Sequence, residues 1–166
     1  MEELVRKGLV RNIGISNLNT TMVRQCLCYA EIKPAVLQVE MHPYLSQEHL
    51  LRMCRENGIQ VMAFSNFGPI SYVELDLATN DETLLVKPEV TTIAAAHNKT
   101  PAQVLLRWAV QRGTVAIPKS ARVERLIENI SVFDFNLSHA EMQVMAGINT
   151  NTRYNDPVRY AESAFG

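Results

Sequence analysis

The chain has 166 residues, a net charge of −1, 47% hydrophobic and 20% charged residues. This composition supports a single domain with a buried core and excludes a disordered polyelectrolyte. Basic residues are spread along the chain, so no electrostatic footprint for nucleic acid or an anionic membrane surface is expected. No stretch reaches the roughly 18 apolar residues of a spanning helix, and Met1 to Val10 lacks an apolar signal core, so the expected compartment is the cytoplasm. Cys26, Cys28 and Cys54 have no zinc-type spacing and form an odd set, which points to reduced, packed thiols and no metal site.

Short β-rich runs alternate with helical patterns. The first strand is expected over Asn12 to Ser16. A helix follows from an Asn19 cap, with Met22, Val23, Cys26, Leu27 and Ala30 on one face, and it ends before Pro34. Ala35 to Glu40 reads as the second strand, followed by a helix from about Ser46 to Asn57, with Gly58 as its C-terminal cap. The third strand spans Ile59 to Ser65. The next helix is expected only at Pro88, so the intervening segment, with Gly68, Pro69 and the acidic run from Asp76 to Glu82, has the length of a lid or binding loop.

Pro88 to His97 forms a short helix. Thr100, Pro101 and Gln103 then combine a cap, a first-turn proline and a capping-box partner, opening a helix that buries Val104, Leu105, Trp108 and Ala109. The fourth strand is Thr114 to Ile117. Helices from Arg122 to Ile130 and, behind the Ser138 and Glu141 capping box, from Ser138 to Ile148 complete the pattern. Strand-helix units of this kind build parallel sheets, either a doubly wound open sheet or part of a closed α/β barrel. A complete barrel typically needs about 250 residues, so this chain is too short for one.

Ligands meet the C-terminal strand ends in both folds. Those ends carry Ser16 and Asn17, Gln38 and Glu40, Phe64 and Ser65, and Lys119 and Ser120. An amide, a hydroxyl, an aromatic face and a cation at one rim suit a flat carboxamide-bearing heterocycle with phosphates. The glycine-rich phosphate loops are missing, so Lys119, Ser120 and Arg125, at a loop entering a helix, are the candidate phosphate ligands.

The strings GLVRNIGISN (Gly8 to Asn17), QVEMHPY (Gln38 to Tyr44), FSNFGP (Phe64 to Pro69), NKTPAQVLLRW (Asn98 to Trp108) and IPKSARVERLIEN (Ile117 to Asn129) resemble the aldo-keto reductases, most closely their xylose (aldose) reductase branch. The resemblance covers essentially the whole chain. It implies an α/β fold, the C-terminal half of a (β/α)8 barrel with strands 5 to 8, in a partial NADP-dependent oxidoreductase domain. By the same resemblance Ser16, Asn17 and Gln38 hold the nicotinamide carboxamide. Phe64 stacks under the ring where the family more often has tyrosine. Ser65, Phe67 and Ser71 form a pyrophosphate clasp, Lys119, Ser120 and Arg125 grip the 2′-phosphate of NADP(H), and Glu128 and Asn129 contact adenine.

Glu74 matches a ribose-binding glutamate and Ala121 replaces an asparagine, features that keep NAD(H) open beside NADP(H). The family's activity is hydride transfer to a small-molecule carbonyl, and its aspartate, tyrosine, lysine and histidine have no counterpart here, so the isolated chain is expected to be inactive. None of the five tyrosines takes the acid's role; Tyr44 is expected as a packing or rim residue, and His42 is not expected in catalysis. The missing residues are expected on polypeptide preceding Met1. Half a barrel leaves two sheet edges open, so self-association or pairing with an N-terminal half is expected. The competing reading is an inactive nucleotide-binding or assembly fragment.

Overall fold

The computed structural model describes residues 1–73, 78–79 and 83–156, without the side chain of Ser71. Four strands, β1 (Gly14–Ser16), β2 (Val36–Glu40), β3 (Gln60–Phe64) and β4 (Val115–Ala116), form one parallel sheet in the order β1-β2-β3-β4. The helices are α1 (Glu2–Arg6), α2 (Thr20–Tyr29), α3 (Glu48–Glu56), α4 (Ile70–Val73), α5 (Pro88–Ala96), α6 (Pro101–Gln111), α7 (Val123–Ile130) and α8 (His139–Gly147), with a 3-10 turn at Leu84–Val86.

The strand order decides between the two architectures left open by periodicity. A doubly wound sheet reverses its order at a switch point. Here order follows the chain, so crossovers of one hand place their helices on one face, as in a barrel. Burial agrees: Leu37, Val39 and Val61 pack with Val23 of α2 and Leu50 and Leu51 of α3. The alternate residues of the four strands look the other way, and of these Ser16, Gln60 and Val115 are exposed, Gln38, Met62 and Phe64 are half-buried and Glu40, at the rim, is buried. That inner face is lined by only half a barrel's strands.

A second cluster, with Trp108, Leu105 and Val104 of α6 at its centre, joins β3, α5, α8 and the loop after β3. Two capping boxes frame it. Thr100 accepts from the Gln103 N–H at 3.2 Å while Gln103 accepts from the Thr100 N–H at 3.0 Å, and Ser138 and Glu141 repeat the arrangement on α8.

Several boundaries differ from the sequence reading. The second β-α helix starts at Glu48 instead of Ser46, because Gln47 takes a left-handed conformation (φ 55°) in the turn that carries its side chain back to the Glu40 carbonyl at 3.1 Å. α1 carries no buried residue, which explains why no periodic apolar face announced it. α4 and the 3-10 turn subdivide the long segment after β3. On α2, Asn19 caps the Met22 N–H as expected at 2.9 Å, but Met22 faces solvent and Val23 alone of that face is fully buried.

Candidate functional site

Parallel registration aligns the first group of candidates. Ser16 is the register partner of Gln38 and Gln38 of Met62, so the three stand side by side on the inner face. The Gln38 amide donates to the Met62 sulfur at 3.2 Å, which fixes its orientation along the sheet. Asn17, just past β1, takes φ 57°, a conformation asparagine tolerates better than most residues, and donates its N–H to the Gln38 carbonyl at 2.9 Å. Phe64 closes β3 two residues beyond Met62, on the same face and half-buried. A hydroxyl, two amides and an aromatic ring thus belong to one rim.

The second group surrounds a cleft of about 690 Å³. Lys119, Ser120, Arg125, Glu128 and Asn129 line one side of it, and Phe67, Ile70 and Leu85, from the segment after β3, also line it. Ser120 sits in the turn that enters α7: its hydroxyl accepts from the Arg122 N–H at 3.1 Å. The cleft also contains Thr100, whose hydroxyl donates to the Glu128 carboxylate and so ties the start of α6 to α7. Thr100 was legible in the sequence only as a helix cap; its bond across to α7 depends on tertiary packing.

Ser65 (φ 54°) shares a 3.2 Å hydrogen bond with the Tyr72 hydroxyl, which closes the first turn of the post-β3 loop on itself. Ser71 lies within α4 and its side chain is not described; Glu74 lies outside the described residues.

Sequence reasoning passed over a buried network at the same rim. Glu40 and His42 are both fully buried, with His42 Nε2 donating to a Glu40 carboxylate oxygen at 3.0 Å. The backbone N–H groups of Tyr154 and Asn155 donate to the two oxygens of that carboxylate, each at 3.0 Å. Burial pushes the Glu40 carboxyl up, but the bonds from His42, Tyr154 and Asn155 together hold it below the ordinary range. Tyr44 is a packing residue as expected, and Tyr72 and Tyr154, given no role from sequence, join it in the core. The available signal was a carboxylate on a strand whose neighbouring positions are apolar.

Of the three cysteines expected to be packed, Cys54 alone is buried, and burial raises its thiol; Cys26 is half-buried and Cys28, on the outer side of α2, is exposed. Among the described residues, no helix is long and apolar enough to cross a membrane.

Residues 1–150 match the model of the Aldo/keto reductase family. The chain is 47% identical over 162 residues to a probable NAD(P)H-dependent D-xylose reductase of Emericella nidulans, an alignment covering 96% of this chain and 51% of that protein. It is 48% identical over 159 residues to the NADPH-dependent D-xylose reductase of Candida boidinii, covering 95% and 50%. Among solved structures, it resembles the aldose reductase of Schistosoma japonicum (TM-score 0.81, 40% identity, 92% of this chain and 46% of that one). It also resembles an aldo-keto reductase complexed with NADPH (TM-score 0.88, 34% identity, 97% and 49%). The chain spans about half the length of the curated relatives it matches. With its parallel, chain-ordered sheet, it is one half of a (β/α)8 barrel, and it belongs to the aldo/keto reductase family.

Proposed function

We propose that this chain is the cofactor-binding half of an NAD(P)H-dependent carbonyl reductase that converts an aldehyde or aldose to an alcohol. The observation that carries the reading is the convergence of Lys119, Ser120, Arg125, Glu128 and Asn129 on one cleft with Phe67. Two cations and a hydroxyl at the entry to α7 fit a phosphate on adenosine, since charge-assisted bonds are roughly twice as strong as neutral ones. Ser16, Asn17 and Gln38 fit the nicotinamide carboxamide, and Phe64 offers a flat apolar face for the ring. Ser65, Phe67 and Ser71 would flank the pyrophosphate.

NADP(H), when bound, supplies the hydride. This chain's residues bind and orient: hydrogen bonds to the carboxamide choose which face of the ring meets the carbonyl, and the cleft holds the phosphate-bearing end of the dinucleotide. The proton donor and its supporting lysine, histidine and aspartate are assigned to polypeptide outside these residues, so the chain alone binds without turnover. Lys119 and Arg125 favour NADP(H); Glu74 and Ala121 leave NAD(H) usable.

A fluorescence titration of the chain with NADPH and NADH, beside an aldehyde turnover assay, tests this. Binding of NADPH without turnover is expected, weakened about tenfold in Lys119→Ala while NADH binding stays unchanged. Turnover by the chain alone would overturn the assignment of the proton donor; absence of binding would overturn the cofactor site.

A second reading, an assembly fragment, is supported by the outer edges of β1 and β4, open among the described residues, and by the exposed apolar row on α7. The two readings are compatible if pairing with an N-terminal half, or with a second copy, completes the barrel.

A further inference from the structure

The segment after α8 is fastened to the rim at two successive points. The Tyr44 carbonyl accepts from the N–H groups of Thr150 (3.3 Å) and Thr152 (3.0 Å), and the Glu40 carboxylate then takes those of Tyr154 and Asn155. A buried carboxylate with both oxygens satisfied by backbone donors more than 100 residues away fixes position as well as energy. Arg153 stands 3.9 Å from the same carboxylate and adds a nearby positive charge.

The fastened residue reaches further. The Tyr154 ring lies 5.8 Å from that of His42 and stacks on Tyr72 with centroids 6.1 Å apart and planes at 22°. Tyr72 belongs to α4 and shares its hydroxyl bond with Ser65, so the stack touches the loop at both its beginning and its helical turn. Phe67 and Ile70, within that loop, line the large cleft.

We propose that Glu40 is a positioning residue: by holding Tyr154 against Tyr72 it couples the segment after α8 to the loop after β3, so that the two order together and set how firmly the cleft retains a dinucleotide. The coupling itself is a property of the apo chain; its effect on the dinucleotide rests on the proposed cofactor site.

Amide hydrogen exchange on the 166-residue chain reads the coupling directly. Glu40→Gln keeps one acceptor and turns an amide N–H toward the other backbone donor. It is expected to speed exchange at Tyr154 and Asn155 about tenfold, and at residues 66–73 severalfold, with α3 and α6 unchanged. Tyr154→Leu keeps the backbone N–H on Glu40 but removes the stack, so only residues 66–73 speed up; Tyr154→Phe keeps the ring and is expected to leave them slower than in Tyr154→Leu. Acceleration confined to the 149–155 segment in Glu40→Gln, or spread equally into α3 and α6, would overturn the proposal. So would equal behaviour of the Leu and Phe variants, a comparison that decides the matter even if Glu40→Gln does not fold.

In stopped-flow experiments with NADPH, Glu40→Gln and Tyr154→Leu are expected to release it several times faster, with Tyr154→Phe closer to the parent than Tyr154→Leu. Unchanged release would overturn the link to the cleft. A parent chain that binds no NADPH would overturn the cofactor site while the exchange data still judge the coupling.

Discussion

At the scale of single residues, three polar groups at the rim and the cleft are each held by a neighbour. Gln38 is fixed by Met62, Glu128 by Thr100, and Glu40 by His42 and two backbone donors. Thr100 therefore has two tasks, capping α6 and holding Glu128. Thr100→Val is expected to cost about 1 kcal/mol in urea unfolding from the lost cap, and to weaken NADPH binding as Glu128 loses its partner. Thr100→Ser should restore both. Glu40 also predicts a pH dependence. Its carboxyl is held below the ordinary carboxylate range when folded, so the unfolded chain binds the extra proton first as pH falls. The stabilisation from this group is complete above the unfolded carboxyl's range and is lost as pH drops through the lower folded one; among the described residues His42 and Arg153 are the charged or titratable side chains beside it. Urea midpoints measured between neutral and acid pH should fall more steeply in the parent than in Glu40→Gln.

At the scale of elements, the described part of the loop after β3 depends on a single left-handed backbone position. Gly68 has φ +69°, and a Cβ there would meet Leu84 Cδ1 at 2.9 Å. Leu84 is fully buried, so it would have to shift within the core. Gly68→Ala is expected to destabilise by about 1–3 kcal/mol through strain at a left-handed position, with the loss concentrated in exchange of residues 66–73. Arg112 joins two further elements. It lies 4.4 Å from the Trp108 ring and donates to the Ser46 carbonyl at 2.7 Å and Glu48 at 2.6 Å, so the end of α6 anchors the start of α3.

At the scale of the molecule, the sheet is open at both edges among the described residues. Val123, Ile127 and Ile130 recur at helical spacing along α7 with Phe133 just beyond, and Ile130 and Phe133 are 70% and 69% exposed. A surface helix normally turns such a stripe inward. Contiguous apolar surface of this kind marks an interface. Sedimentation velocity on the chain alone is expected to show association that grows with concentration, and Ile130→Lys with Phe133→Lys should reduce it without altering the far-ultraviolet circular dichroism. A monodisperse monomer at all concentrations would contradict this.

Local chemistry made much of this legible in the sequence. The Asn19 cap, the Thr100 and Ser138 capping boxes, the Gly58 turn and the apolar face of α6 are decided by interactions within a few residues, and the structure bears them out. The alternation of strand and helix likewise dictated a parallel sheet. Periodicity left the barrel and the open sheet unresolved, because both obey the same alternation; the order of strands in space separates them. Glu40 with Tyr154, and Thr100 with Glu128, were beyond reach of spacing alone, since each joins residues 28 or more positions apart and exists only once packing has brought them together. Only the folded chain, by excluding water from Glu40, could turn a strand-end carboxylate into an anchor for a distant segment.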